Sequence, residues 1–161
     1  MICSVALNPS IDRTLELERL NVGGLNRVKG QTDVAAGKGM NVALAAAALG
    51  EQAACIGLMY REGGAKFEAR LREGGAESDF VWCDGAVRVN VKVFDREKGE
   101  ITELNSSGTP VSAAQLEQMA ALTARYAQKA DALVLTGSLP PGCPQGTYRS
   151  LIQALPGTKC V

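Results

Sequence analysis

The stretch Ala36-Gly37-Lys38-Gly39-Met40-Asn41-Val42, followed at once by the alanine-rich run 43–50, decides the fold of this chain. It predicts a glycine turn that leads straight into a helix. The two glycines let the backbone approach a bound group, Lys38 adds a positive charge, and the free N–H groups of a helix start favour anions. The stretch therefore predicts a cradle for an anionic or hydroxyl-rich ligand. A plain glycine turn with a solvated lysine is the alternative.

Two known glycine signatures do not fit this stretch. A Walker-type loop requires glycine where the chain has Thr32, and serine or threonine where it has Gly39. The dinucleotide fingerprint requires a third glycine where the chain has Val42. Neither of these nucleotide-binding loops is predicted here.

Composition excludes several classes of function. With 161 residues the chain can form one core, so one main domain is expected. Its 17 basic and 17 acidic residues give a net charge of zero, so we expect no nucleic-acid partner and no membrane partner. The apolar run 2–7 ends at Asn8-Pro9, too short for a signal peptide or a membrane span, which favours a cytoplasmic protein.

The cysteine and histidine content narrows the chemistry. Five cysteines are scattered singly and form no C-x-x-C pair, so we expect them to be reduced and mostly buried. The absence of histidine excludes Ser-His-Asp and Cys-His catalysis and histidine-bearing zinc sites. Acid–base chemistry must then use carboxylates, and Mg²⁺ with a phosphorylated ligand remains open because it needs only oxygen ligands.

Buried strands alternate with helices along the chain. Strands are predicted at 2–7, 53–57, 132–136 and, beginning, at 158–161; helices are predicted at 41–49, 65–73, 112–129 and 147–155. Ser112 and Gln115 form a predicted capping box at the start of the third helix. This alternation predicts an α/β layered domain with a parallel sheet and right-handed crossovers.

Two segments depart from that alternation. Residues 13–17 and 26–34, joined through Gly23-Gly24, predict a short antiparallel ribbon. Residues 87–94 alternate strictly between apolar and polar and turn at 97–99 into 101–104, which predicts a small accessory sheet with one wet face. Arg88, Asn90 and Lys92 share that face, either as an ordinary solvated surface or towards a ligand.

Candidate ligand-binding residues follow predicted strands. Asp12 comes just after the first strand, and Ser138 lies in the loop 136–142 after a later one. Ligands of open parallel sheets bind at the carboxyl ends of the strands, although a local cap at Asp12 and a tight turn at 136–142 are the alternatives. A carboxylate for hydroxyl groups together with the three cations Lys38, Arg88 and Lys92 predicts a phosphosugar site.

These pieces, taken in order, resemble the ribokinase (PfkB) superfamily of sugar kinases, and within it the branch of 1-phosphofructokinase and tagatose-6-phosphate kinase. The matching segments are 8–12, 36–41 with Leu49-Gly50, 88–92 and 136–142. The resemblance implies that residues 1–161 are the N-terminal half of a ribokinase-like domain, a truncated parallel-sheet layered domain with a small β-sheet lid. The lid segments would be about 13–35 and 87–105.

The resemblance also implies roles for single residues. Asp12 and Asn41 would bind sugar hydroxyls, and Gly37, Lys38 and Gly39 would line the sugar. Arg88, with help from Lys92 and Arg27, would hold the phosphate already on the substrate, and Ser138 would lie by the acceptor site. A homodimer through the lid is implied as well. Because 159–161 fall inside a predicted strand, association through an exposed sheet edge is the other expected mode.

The implied reaction is ATP-dependent phosphorylation of a ketohexose monophosphate, fructose 1-phosphate to fructose 1,6-bisphosphate. Tagatose-6-phosphate kinase and a non-catalytic sugar-phosphate-binding fragment are the alternatives. The full-length family enzyme uses ATP and Mg²⁺, with the base in a Gly-Ala-Gly-Asp element that these 161 residues do not contain. We therefore expect no catalytic base and no metal site here, no ATP or Mg²⁺ bound by this chain alone, and no activity from it.

Overall fold

Two four-stranded sheets organise the computed structural model, which describes all 161 residues. The strands are β1 (Ile2–Ala6), β2 (Ser10–Leu17), β3 (Gly30–Ala36), β4 (Ala53–Glu62), β5 (Glu77–Ala86), β6 (Arg88–Asp95), β7 (Glu100–Leu104) and β8 (Ala132–Thr136). The helices are α1 (Lys38–Ala48), α2 (Ala65–Glu73), α3 (Ala113–Ala127) and α4 (Thr147–Gln153). No helix combines the length and apolarity that crossing a membrane requires.

The main sheet has the order β5-β4-β1-β8 and is parallel throughout. Its two central strands, β1 and β4, are almost entirely buried, which explains their continuous apolar sequences. The predicted parallel α/β arrangement is confirmed. A single bridge between Leu133 and Cys160 continues the sheet beyond β8, where a further strand was expected to begin.

The largest differences from the predictions are two element boundaries and one strand. Helix α1 begins at Lys38 rather than at residue 41, because Gly37 makes the whole turn at a φ of 142°. Strand β4 continues to Glu62 instead of ending at residue 57. Strand β5 was not predicted: it is an edge strand paired only with β4, and its mixed charged and apolar residues show no clear period.

The second sheet has the order β3-β2-β6-β7. Strands β2 and β3 form the expected antiparallel ribbon, β6 and β7 form the expected hairpin, and β2 pairs with β6 in parallel. Asp12 was expected in a loop after β1, but only three residues, 7–9, separate β1 from β2. Asp12 therefore lies inside β2, on the same face as Ser10.

Local details of the core agree with the sequence. The capping box of α3 is formed, because the Gln115 N–H donates to Ser112 Oγ at 3.3 Å and the Ser112 N–H donates to Gln115 Oε1 at 2.8 Å. All five cysteines are free, and Cys3, Cys55 and Cys83 are buried. Burial raises the pKa of the Cys3 and Cys55 thiols to about 12, so both remain protonated packing groups near neutral pH.

Candidate functional site

A polar cavity of about 420 Å³ lies between the carboxyl ends of β1 and β8, the start of α1 and one face of the second sheet. Only one of its 14 lining residues is hydrophobic, so the cavity suits a hydrophilic ligand. The lining consists of Asn8, Ser10, Asp12, Ala36, Gly37, Lys38, Asn41, Arg88, Asn90, Lys92, Glu103, Asn105, Gly137 and Ser138.

Most residues singled out from the sequence meet in this cavity. Asp12, Gly37, Lys38, Asn41, Arg88, Lys92 and Ser138 all line it. They come from β2, the start of α1, β6 and the loop after β8, which are far apart in the sequence. The two sheets thus bring together side chains that were predicted as ligand-binding residues from separate segments of the sequence.

Gly39 and Arg27 do not line the cavity. Gly39 is buried where α1 packs on β1, and a Cβ added there would lie 2.9 Å from the Ala6 Cβ and 3.1 Å from the Val5 carbonyl oxygen. Gly39 therefore allows α1 to pack closely on β1. Arg27 is exposed in the connection between β2 and β3, which leads away from the cavity.

Both carboxylate oxygens of Asp12 have polar partners. Its Oδ1 accepts from Ser10 Oγ at 3.1 Å and from Asn90 Nδ2 at 3.2 Å, and its Oδ2 lies 2.9 Å from Lys92 Nζ. Burial alone would raise the pKa of Asp12, but the hydrogen bonds from Lys92, Ser10 and Asn90 outweigh it and hold the pKa below its usual value. Asp12 is therefore ionised at neutral pH.

Lys92 lies between two carboxylates. Besides Asp12, the Glu103 Oε1 is 4.0 Å from Lys92 Nζ, and the two residues are register partners on β6 and β7. The hydrogen bond to Asp12 and the negative charges of Asp12 and Glu103 raise the pKa of Lys92. Its positive charge is thus largely neutralised inside the cavity.

Arg88 carries a charge that no carboxylate balances directly. Nη1 donates to Asn90 Oδ1 at 3.0 Å and to the Ser106 carbonyl at 2.8 Å, while Nη2 donates to the Asn8 carbonyl at 3.2 Å and to Ser138 Oγ at 3.5 Å. Burial lowers the pKa of Arg88, partly offset by Asp12, yet a guanidinium remains charged in proteins. Its Nε is buried without a partner. This end of the cavity is therefore suited to an anion.

The start of α1 faces the same end. A Cβ added to Gly137 would lie 3.9 Å from the Lys38 Cβ, so Lys38 adjoins the loop that carries Ser138. Lys38 is exposed and forms no ion pair. The free N–H groups of the first helical turn add a partial positive charge there.

Asn8 connects the parts of the cavity, although no role was predicted for it. It is 8% exposed, and its Nδ2 donates to the Ser107 carbonyl at 3.1 Å, to Ser138 Oγ at 3.2 Å and to the Leu139 carbonyl at 3.4 Å. These bonds tie the end of β1 to two loops. Two signals in the sequence could have found it: its position directly after a buried strand, and its place in the segment 8–12 that carries the resemblance.

Four further lining residues with polar side chains were not predicted as site residues, namely Ser10, Asn90, Glu103 and Asn105. Strand alternation placed Asn90 on the face of Arg88, although no role in binding was predicted for it. The same alternation could have placed Ser10 on the face of Asp12. Glu103 and Asn105 come from the β7 edge of the second sheet, and only the register of β6 with β7 brings them into the cavity. No group of three or more histidine, cysteine or carboxylate side chains is arranged to hold a metal ion.

Comparisons with known proteins agree with this architecture. Residues 5–160 match the model of the pfkB family carbohydrate kinases. The 1-phosphofructokinase of Xanthomonas campestris is 34% identical over 148 residues, which cover 92% of this chain and 46% of that protein. The corresponding Bacillus subtilis protein is 35% identical over 158 residues, covering 96% and 50%. The chain thus spans about half the length of the curated relatives it matches.

Solved structures show the same fold. Escherichia coli phosphofructokinase-2 in complex with fructose-6-phosphate superposes with a TM-score of 0.88 at 25% identity, over 99% of this chain and 52% of that one. A Thermotoga maritima protein described as a possible 1-phosphofructokinase gives 0.84 at 28% identity, over 95% and 49%. The match over residues 5–160, with these likenesses, shows that the chain belongs to the pfkB family of carbohydrate kinases.

Proposed function

We propose that these residues form the acceptor-sugar half of an ATP-dependent kinase that phosphorylates a ketohexose monophosphate, converting fructose 1-phosphate into fructose 1,6-bisphosphate. The names of the relatives support this substrate over tagatose 6-phosphate. The observation that carries the proposal is the Arg88 guanidinium, which has no carboxylate partner and shares one polar cavity with the ionised Asp12. One end can bind a phosphate and the other can bind hydroxyls.

The proposal assigns a binding role to each of the main side chains of the cavity. Asp12 accepts hydrogen bonds from sugar hydroxyls, assisted by Asn41 on the first turn of α1. Arg88 and Lys38 bind the phosphate of the substrate. Ser138 lies beside the same guanidinium, which favours a contact between its hydroxyl and that phosphate over one with the acceptor hydroxyl.

Phosphoryl transfer needs a base near the acceptor hydroxyl, and Mg-ATP supplies the phosphoryl group. The only carboxylates of the cavity are Asp12 and Glu103, and both are engaged by Lys92. We propose that residues 1–161 alone bind the sugar phosphate without transferring a phosphoryl group. The same observation favours the second candidate for this chain, a sugar-phosphate-binding fragment.

Calorimetry with fructose 1-phosphate tests the proposed binding, and a coupled ATP-consumption assay tests the proposed inactivity. We expect saturable binding without turnover, and weaker binding of tagatose 6-phosphate and of unphosphorylated fructose. Turnover by the 161 residues would contradict the proposed inactivity. Binding of fructose as tightly as fructose 1-phosphate would contradict the proposed phosphate site.

We also propose that the chain is cytoplasmic and associates with itself. Five free thiols fit a reducing compartment. The second sheet exposes Val34, Ile101 and Leu104 by 40%, 60% and 59%, which supports a contact through this sheet, proposed here as the lid. Sedimentation that shows a monomer at all concentrations would contradict the association.

A further inference from the structure

The charges of the cavity are segregated into two ends. Arg88 and Lys38 form no ion pair. Arg88 donates to Ser138 Oγ, and Lys38 adjoins Gly137 in the same loop. Lys92 instead lies 2.9 Å from Asp12 and 4.0 Å from Glu103. One end thus holds two uncompensated cations, and the other holds two carboxylates around one ammonium group.

One amide side chain joins the two ends. Arg88 Nη1 donates to Asn90 Oδ1 at 3.0 Å, and Asn90 Nδ2 donates to Asp12 Oδ1 at 3.2 Å. The Asp12 carboxylate stands between Asn90 and Lys92, which it meets through Oδ1 and Oδ2 respectively. The sign of the charge at the Lys92 end decides whether a second anionic group is accepted there.

Glu103 determines the sign of the net charge at the Lys92 end. Without it, Asp12 and Lys92 would form a neutral pair, and with it the cluster carries a net charge of −1. Its carboxylate is kept in the cavity by the register of β7 with β6 and by a hydrogen bond from Asn105 Nδ2 to Oε2 at 3.4 Å. The side chain is 51% exposed, so a ligand can reach it.

We propose that Glu103 is a specificity-determining residue that keeps phosphate groups away from the Lys92 end of the cavity. The inference rests on the proposed function and deepens it. A sugar monophosphate then binds in one orientation, with its phosphate at Arg88 and its hydroxyls towards Asp12, Glu103 and Asn105. A second phosphate at the Lys92 end is repelled, because its negative charge meets a net negative cluster.

Inorganic phosphate is a suitable probe, because its binding does not require the sugar. In NMR titrations of the wild-type chain, phosphate is expected to shift the backbone amides of Gly137 and Ser138 and to leave those of Lys92 and residue 103 unchanged. In Glu103→Gln, which keeps the size and the hydrogen bond to Asn105, a second set of shifts at Lys92 is expected. Phosphate affinity at that end should rise about tenfold, or about 1.4 kcal/mol.

Glu100→Gln is the matched control. Glu100 lies on the same strand but pairs with Asp95, outside the cavity. This variant is expected to behave like wild type, and adding Lys92→Met to Glu103→Gln should abolish the second set of shifts.

Three results would overturn the inference: phosphate shifts at Lys92 in the wild type, no phosphate binding near Ser138, or equal behaviour of the two glutamine variants. Failure of the proposed function has a different signature, namely fructose 1-phosphate binding no tighter than inorganic phosphate.

Discussion

Lys92 Nζ lies 2.9 Å from the Asp12 carboxylate although the two residues are not register partners. Asp12 pairs with Asn90 across the parallel strands β2 and β6, and Lys92 pairs with Thr14. Lys92 therefore reaches back by two residues on one face of the sheet to meet Asp12. This diagonal ion pair helps to lower the pKa of Asp12 and raises that of Lys92.

Replacing Asp12 by Asn should reduce the acid sensitivity of folding. Hydrogen bonds hold the pKa of Asp12 below its usual value, so its stabilising effect is complete above the unfolded carboxyl pKa of about 3.9 and is lost as the pH falls through the folded pKa. Urea unfolding at several pH values should show a shallower acid slope for Asp12→Asn. Asp84→Asn, at a carboxylate exposed by 97%, is the control and should leave that slope unchanged.

The effect of Lys92 on the pH dependence of stability has the opposite sign to that of Asp12. The pKa of Lys92 is raised, so the contribution of the pair is fully present below the unfolded lysine pKa of about 10.4 and is lost as the pH rises through the folded pKa. A double-mutant cycle of Asp12→Asn and Lys92→Met should give a coupling of ~1 kcal/mol at neutral pH, because both side chains are partly exposed, at 22% and 32%. A coupling of zero would show that the pair contributes nothing to folding.

Replacing Arg88 by Ala should weaken the binding of fructose 1-phosphate by roughly 10- to 100-fold, since charge-assisted hydrogen bonds contribute about 1.5–3 kcal/mol. Arg88→Lys should recover part of the affinity, because lysine restores the charge but not the fork of donors. Arg13→Ala is the matched control: Arg13 is on the same sheet but outside the cavity, paired with Asp33 at 2.8 Å. Isothermal calorimetry distinguishes the variants, and equal losses for Arg88→Ala and Arg13→Ala would contradict the proposed role.

Gly37 is needed for its positive φ, whereas Gly39 is needed for the close packing of α1 on β1. Gly39→Ala tests the second role. The added methyl would meet the Ala6 Cβ at 2.9 Å, so α1 must move from β1 at a cost of ~1–3 kcal/mol. Gly146→Ala is the control, since its φ is −82° and nothing lies within 4 Å of an added Cβ. Thermal unfolding should show a clear loss for Gly39→Ala and little change for Gly146→Ala; equal melting temperatures would contradict the close packing.

The fold was predictable where burial imposes a period on the sequence. Continuous apolar runs marked β1 and β8, and strict alternation marked β6 with the wet face of Arg88 and Lys92. Strand β5 escaped prediction because an edge position allows charged residues such as Asp79 and Asp84. Within the cavity, Glu103 was not predictable, because its place depends on the register between β6 and β7, which single-sequence patterns leave open.

Replacing Asn8 by Ala should destabilise the chain and weaken ligand binding together. The buried amide donates to the Ser107 carbonyl, Ser138 Oγ and the Leu139 carbonyl, so its removal loses three hydrogen bonds, each with a net contribution of ~0.5–1.5 kcal/mol. It also frees the loop that positions Ser138 beside Arg88. Asn105→Ala, which removes an exposed cavity amide bonded only to Glu103, is the control for folding. Urea unfolding and calorimetry on both variants should show the combined loss for Asn8→Ala only, whereas a destabilised Asn8→Ala with wild-type affinity would separate this side chain from the site.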